Sequence, residues 1–191
     1  MHTLEQLRSG ALAGTRRLDL SCGLSELPEE VLALADTLEV LNLSGNRLRE
    51  LPHQLSRLHK LQVLFASDND FEVLPEVLGD CPALHMVGFK ANRIAHVPAA
   101  ALPPALRWLT LTDNAIGQLP TELGQRPALQ KLMLAGNDRG LVGEQYSTDF
   151  MIDRSVRFIE RHADEPFFLY YATPVPHLAL QVPDDSLERY A

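Results

Sequence analysis

The chain has 191 residues, of which 46% are apolar, and its formal net charge is −8. This charge speaks against general binding to nucleic acid or to an anionic membrane, because phosphate groups are held by clustered Lys and Arg. The first residues contain no basic segment followed by an apolar run, and no stretch of about 18 apolar residues occurs. The sequence therefore predicts neither a secretion signal nor a membrane span, and we expect a cytoplasmic location.

The two cysteines, Cys22 and Cys81, lie far apart in the sequence and share no spacing typical of metal ligands. Cysteines used in this way predict reduced, semi-buried thiols in a reducing compartment.

The first 14 residues place four apolar side chains at roughly helical spacing: Leu4, Leu7, Leu12 and Ala13. A series of short repeats begins directly after them. The first unit of a stacked repeat array has an open apolar end, which a segment with a polar outer face normally closes. The sequence therefore predicts a short capping helix within residues 1–14.

An L-x-x-L-x-L pattern recurs along the next part of the chain. After a first copy that contains Leu18 and Leu20, the blocks begin at Leu38, Leu61, Leu84, Leu106 and Leu129, which are 22 or 23 residues apart. Such a pattern predicts a short strand that sends alternate side chains inward. Self-similarity at this period is typical of a solenoid. The predicted fold class is α/β, a horseshoe of about six short parallel strands over residues 15–138.

One asparagine and one proline recur at fixed positions in these blocks. The asparagines are Asn46, Asn69, Asn92, Asn114 and Asn137, and the prolines are Pro28, Pro52, Pro75, Pro98 and Pro120. An Asn amide can both donate to and accept from the backbone of a buried turn. A proline suits the place where the chain leaves a strand, because φ is fixed there and no ladder donor is needed. Both series therefore predict structural roles, with one or two helical turns after each proline.

Blocks of this form resemble the bacterial leucine-rich repeats, and residues 1–138 resemble the repeat domain of bacterial leucine-rich-repeat protein kinases. The likeness is carried by LDLSCGLSELPEE, LEVLNLSGN, MVGFKANRI and LQKLMLAGN. It implies a recognition or regulatory role for the repeats. The catalytic motifs of a kinase, namely the Gly-rich loop, H-R-D and D-F-G, do not occur in the sequence.

The 23-residue period ends near Asn137, and residues 139–191 have a different pattern. Ile152, Val156 and Ile159 lie at helical spacing, and the apolar run Phe167–Ala172 follows them. This order predicts a helix followed by a buried strand.

The tail resembles an internal fragment of the sulfatase family through YSTDFMIDRSVRFIERH and EPFFLYYATPVPHLALQVP. The resemblance implies that His177 corresponds to an active-site histidine that contacts the substrate sulfate. The family's Cys motif, which is oxidised to formylglycine, matches neither Cys22 nor Cys81, and its metal-binding segments are missing. The likeness thus implies an incomplete fragment without sulfatase activity. Because both likenesses stop in mid-domain near Gly140–Glu144, we also hold the hypothesis of a fusion or of two joined genes.

Two side chains of each predicted strand are expected to point away from the core, onto the concave face of the sheet. The predicted partner-binding residues on this face are Val40, Asn42, Val63, Phe65, Met86, Trp108, Thr110 and Met133. A contiguous exposed apolar patch usually marks a binding face, and Trp is a frequent hot-spot residue. The sequence therefore predicts a non-catalytic module that binds a protein partner and uses no cofactor or metal.

Other interpretations of the sequence stay open at this point. The tail could fold back over the concave face, or the face could have no role. The repeats could be the regulatory region of a serine/threonine protein kinase whose catalytic domain is on another chain. The chain could also be a remnant of a sulfuric ester hydrolase that is inactive alone.

Overall fold

The computed structural model describes residues 2–137 and Val156. In this part of the chain, six parallel strands form one sheet in the order of the sequence. The strands are β1 (Arg17–Asp19), β2 (Val40–Asn42), β3 (Val63–Phe65), β4 (Met86–Gly88), β5 (Trp108–Thr110) and β6 (Lys131–Met133). The predicted number and direction of the strands are confirmed.

The central residue of each strand points into the core. Leu18, Leu41, Leu64, Val87 and Leu109 are 0–1% exposed, and the strand pairing places them in one row that ends at Leu132. Alternate residues of a strand lie on opposite faces of the sheet, so the two neighbours of each central residue face away from the core. The three-residue strands thus present two rows of side chains on the side of the sheet that faces away from the core.

The turn after each strand is held by the recurring asparagine. Asn69 is typical, because its Nδ2 donates to the carbonyl oxygens of Leu43 at 2.9 Å and Ala66 at 3.2 Å. Its Oδ1 accepts from the backbone N–H of Leu48 at 2.9 Å. Asn46, Asn92, Asn114 and Asn137 make the same contacts in their own repeats. Each amide therefore links its own turn to the preceding repeat, which confirms the predicted structural role.

The residue before each ladder asparagine adopts a left-handed backbone conformation. Gly45 and Gly136 occupy this position in two repeats, with φ of 73° and 72°. Asp68, Ala91 and Asp113 occupy it in the others, with φ between 52° and 55°. A left-handed residue with a Cβ costs roughly 1–2 kcal/mol. The asparagine hydrogen bonds and the packing of the turn offset this cost.

The recurring prolines precede short 3₁₀ helices. Each proline has φ between −60° and −69° and lies directly before the first helical residue. The 3₁₀ helices are Glu29–Leu34, His53–Arg57, Glu76–Asp80, Ala99–Ala101 and Thr121–Gln125. They are the predicted helical turns, and they return the chain to the next strand.

The 22-residue repeat has the shortest of these helices, and it lies unusually close to its neighbour. A Cβ added at Gly79 would overlap the backbone carbonyl oxygen of Ala100. Glycine at position 79 therefore permits the close approach of two successive helical segments.

At the amino-terminal end, α1 (Leu4–Arg8) packs beside the 3₁₀ helix Glu29–Leu34, and it is shorter than the 14-residue segment that the sequence suggested. Thr3 and Gln6 form a capping box at its start, and Leu7 is buried. Before the helix, His2 pairs with the backbone of β1: its N–H donates to the carbonyl oxygen of Asp19 at 2.8 Å. A short helix thus lies within the segment for which a cap is predicted, and His2 adds a contact with the edge strand.

Leu132, the last residue of the inward row, is only half-buried. The predicted helix and strand of the tail, residues 139–191, lie outside the described residues, as does His177. Among the described residues, no helix is long and apolar enough to cross a membrane.

Candidate functional site

The side of the sheet that faces away from the core, here called the sheet face, carries two rows of side chains in register. The first row is Arg17, Val40, Val63, Met86, Trp108 and Lys131, and the second row is Asp19, Asn42, Phe65, Gly88, Thr110 and Met133. All eight residues predicted to bind a partner belong to these rows. The register of the strands therefore brings them together on one surface.

The middle of the sheet face is apolar, but its side chains shield one another. Val63, Phe65 and Met86 are half-buried, whereas Trp108 is 41% exposed. The Phe65 ring lies over Gly88, where an added Cβ would approach Cδ1 of Phe65 to 2.7 Å. The apolar patch is thus less exposed than the sequence suggested, and Trp108 is the most exposed of these side chains.

The carboxyl-terminal end of the sheet face combines an aromatic ring, a cation and a thioether. The ammonium group of Lys131 lies 5.0 Å from the centroid of the Trp108 ring. The hydroxyl of Thr110 donates to Sδ of Met133 at 3.7 Å, and Met133 is 41% exposed. A cation at this distance is attracted to the face of the ring, so Lys131 covers part of Trp108, which is still 41% exposed.

The amino-terminal end of the sheet face is charged, and its charges are paired. Arg17 forms two hydrogen bonds with the Asp19 carboxylate, both 2.8 Å, and Asn42 donates to the same carboxylate at 3.1 Å. The hydrogen bond from Arg17 lowers the pKa of Asp19, against the opposing effect of its partial burial. Arg16 and Glu39 form a further ion pair beside these strands.

Residues immediately before the strands extend the candidate site, and the sequence-based prediction missed them. His85, Met86, Arg107, Trp108 and Gln130 line a shallow depression of about 150 Å³. His85 Nδ1 donates to the carbonyl oxygen of Gln62 at 2.7 Å, and Arg107 donates to Oε1 of Gln130 at 3.1 Å. The signal was present in the sequence, because His85, Arg107 and Gln130 all occupy the second position of L-x-x-L-x-L.

The described residues contain no group of three or more His, Cys, Asp or Glu side chains that could hold a metal ion. The two cysteines differ more than the sequence suggested: Cys22 is exposed and Cys81 is fully buried. Burial, together with the nearby Asp80 carboxylate, raises the pKa of Cys81 to about 11.

Comparison with known proteins gives the same class of fold. The Leucine Rich Repeat family matches residues 37–58. A leucine-rich-repeat protein of Leptospira interrogans has a solved structure that is similar with a TM-score of 0.60 at 31% identity, over 70% of this chain and 34% of that one. The sequential parallel sheet, the asparagine ladder and this similarity define the fold as a leucine-rich-repeat solenoid.

Two relatives at the sequence level are larger proteins that contain further parts. A probable inactive serine/threonine-protein kinase of Dictyostelium discoideum is 29% identical over 129 residues, which are 64% of this chain and 5% of that protein. The human PH domain leucine-rich repeat-containing protein phosphatase 1 is 33% identical over 92 residues, 48% of this chain and 5% of the phosphatase. The chain therefore spans only a small part of these relatives, and the likeness concerns a repeat module of the kind that mediates protein–protein interactions.

Proposed function

We propose that the chain is a non-catalytic module that binds a protein partner through the sheet face. The observation that carries this proposal is the registered apolar row Val63, Met86 and Trp108, with Phe65 beside it. Side chains of neighbouring parallel strands are about 5 Å apart. These four residues thus offer one continuous apolar surface to a partner.

The members of this surface differ in their expected contributions. Trp108 is the most accessible and has a large apolar area, so it is the expected hot spot. Phe65 is half-buried with its ring over Gly88, so it offers an apolar contact beside Trp108. Val40, Asn42, Thr110 and Met133 surround the patch and would exclude water from its centre.

The test is capture of partners from the source cell with the wild type and with the variant Trp108→Ala/Phe65→Ala. We expect the variant to bind the captured partner about thirtyfold more weakly, which corresponds to about 2 kcal/mol. Val73→Ala is a suitable control, because Val73 is 44% exposed but lies outside the six strands. Circular dichroism checks that all three chains fold alike.

Unchanged binding by the double variant would overturn the proposed role of the sheet face. Weakening by Val73→Ala as well would indicate a different surface or a general loss of fold.

A regulatory role toward a kinase or phosphatase is the second candidate. It is favoured by the two relatives whose names include a kinase and a phosphatase. Under this interpretation the sheet face binds a catalytic domain on another chain. A co-purified kinase or phosphatase whose activity changes when the wild-type chain is added, but not when the double variant is added, would support it.

A further inference from the structure

We propose that the partner of the sheet face is an acidic peptide segment that places an apolar side chain on Trp108 and a carboxylate between Arg107 and Lys131. This proposal rests on the proposed function and adds the chemistry of the partner to it. Three observations support it: the unpaired cations, the depression beside Trp108 and the polarity of the two ends of the face.

The cations at the Trp108 end have no carboxylate partner among the described residues. Arg107 bonds only to the amide of Gln130, and Lys131 lies over the Trp108 ring. At the opposite end, Arg16 and Arg17 are both neutralised by carboxylates. These two cations come from neighbouring repeats, where the backbone N–H of Lys131 donates to the carbonyl oxygen of Arg107 at 3.0 Å. In a chain with a net charge of −8, two neighbouring cations without a carboxylate partner among the described residues are a local departure from the overall charge. Complementary charge favours a partner with negative groups at this place.

The depression beside these cations fits one apolar side chain. Its walls combine the apolar surfaces of Met86 and Trp108 with the polar ends of His85, Arg107 and Gln130. Its volume is about 150 Å³ and it is open to solvent on one side, which leaves room for one apolar side chain to be seated in part. An aromatic or large aliphatic side chain could therefore enter, while a neighbouring carboxylate reaches Arg107.

The rest of the face determines how the segment would continue. Val63 and Phe65 lie two strands away from Trp108, which corresponds to about 10 Å, or about three residues of extended chain. A second apolar residue about three positions from the first would therefore reach the Phe65 end. Beyond it, the neutralised pairs offer no charge to attract the partner. The expected pattern is an acidic and an apolar residue together, followed by a second apolar residue.

Selection from a phage-displayed random peptide library, without Trp in the library, tests this pattern with the full chain as the target. We expect the enriched peptides to contain Asp or Glu next to an aromatic or aliphatic residue. Trp108 is the only tryptophan of the chain, so its fluorescence reports directly whether a synthetic enriched peptide reaches the proposed place.

Charge reversal with a matched control tests the role of the cations. Arg107→Glu/Lys131→Glu should weaken the selected peptide by about tenfold or more, because carboxylates would then face carboxylates. Arg47→Glu/Arg49→Glu changes the net charge by the same amount at two exposed positions outside the face, and should change the affinity by less than about twofold. When the Arg107→Glu/Lys131→Glu variant is the target of the same selection, basic peptides should be enriched.

The outcomes separate this inference from the proposed function. Enriched peptides that perturb Trp108 but are uncharged or basic would overturn the acidic partner and leave the binding face intact. Equal weakening by both charge variants would show a general charge effect and would overturn it too. An oligonucleotide that competes with the selected peptide would point to a polyanion and would contradict a peptide partner. If selection gives no peptide that perturbs Trp108, the inference fails, whereas the proposed face is judged separately by partner capture with the Trp108→Ala/Phe65→Ala variant.

Discussion

The buried turns and the sheet face recur with the same period. In the turns the same residue type recurs, whereas on the sheet face the residue type changes. In the interior, the same amide recurs from Asn46 to Asn137 and makes the same backbone contacts each time. On the face, the second row changes at every step, from Asp19 through Phe65 and Gly88 to Met133. Constancy inside and variation outside separate the residues that build the solenoid from those available for binding.

The physical reason is that a buried polar turn admits few solutions. Backbone groups there must be paired, and an amide side chain that both donates and accepts satisfies several of them at once. A side chain on the sheet face meets only other side chains of that face and solvent, so many residue types are compatible with the same backbone. The difference can therefore be measured by substituting two residues of the same type, one buried and one on the sheet face, and comparing the losses of stability.

The largest difference is expected for the phenylalanines. Phe71 is fully buried, and its ring meets Phe89 edge to face at 5.0 Å between centroids, whereas Phe65 lies half-buried on the sheet face. Phe71→Ala should lower the free energy of unfolding by about 3–5 kcal/mol, because it leaves a cavity in a packed core. Phe65→Ala should lower it by only about 1 kcal/mol, since water can fill the space.

Chemical denaturation of both variants measures this pair. A loss for Phe65→Ala equal to that for Phe71→Ala would mean that the sheet face is part of the core. Phe65 would then be needed for folding rather than available to a partner.

The repeated features of the fold could be predicted from the sequence, because each recurs with a fixed spacing. The leucines, the ladder asparagines and the prolines each recur in the same structural role. The sequence therefore predicted Leu41 as a core residue and Asn69 as a residue that bonds the turn. The fold class follows from them, as does the membership of the two rows on the sheet face.

The unrepeated features could not be predicted, because each depends on a contact between particular side chains. The shielding of the apolar patch arises from the Phe65 ring lying over Gly88. The depression near Trp108 is lined by His85 and Arg107, whose shared repeat position is visible in the sequence, but its depth depends on how these two side chains pack. The end of α1 at Arg8 and the contact of His2 with β1 are also local features, and no repeated pattern in the sequence predicts them.

A second, smaller difference is expected for the asparagines. The amide of Asn69 bonds to three carbonyl oxygens and one N–H in a buried turn, whereas Asn42 lies on the sheet face and donates to Asp19. Asn69→Ala should destabilise the fold by about 3 kcal/mol, because it leaves buried backbone groups without partners. Asn42→Ala should cost less than about 1 kcal/mol, since water reaches the groups that it exposes.

Thermal unfolding of the two asparagine variants, monitored by circular dichroism, provides the comparison. If Asn69→Ala were as stable as Asn42→Ala, the ladder would not be what fixes the turns. The constancy of the asparagines would then need another explanation.

The smallest difference is expected for the cysteines, and it depends on pH. Cys81 is 0% exposed, and its thiol lies 3.4 Å from the carbonyl oxygen of Val77, to which it donates; Cys22 is exposed. A water-soluble disulfide reagent should therefore modify Cys22 in the folded chain and reach Cys81 only after unfolding. Cys22→Ser should leave no reactive thiol in the native protein.

The raised pKa of Cys81 adds a test of stability. In the unfolded chain this thiol ionises near its ordinary pKa of 9.0, whereas in the folded chain burial delays ionisation to about 11. Between these values the unfolded state binds fewer protons, so the contribution of the neutral thiol is present below the unfolded pKa and is lost as the pH rises through this window. The loss should amount to about 1 kcal/mol near pH 10.

The measurement is the free energy of unfolding from about pH 8 to pH 11 for the wild type, Cys81→Ala and Cys22→Ser. The variants are needed because Lys and Tyr side chains titrate in the same range and also change the stability with pH. Cys81→Ala should show a shallower decline than the wild type, although its stability near pH 8 is lower because a core side chain has been shortened. Cys22→Ser should decline as the wild type does. Parallel curves for all three chains would show that the Cys81 thiol ionises alike in the folded and unfolded states, and would contradict the pKa that burial raises.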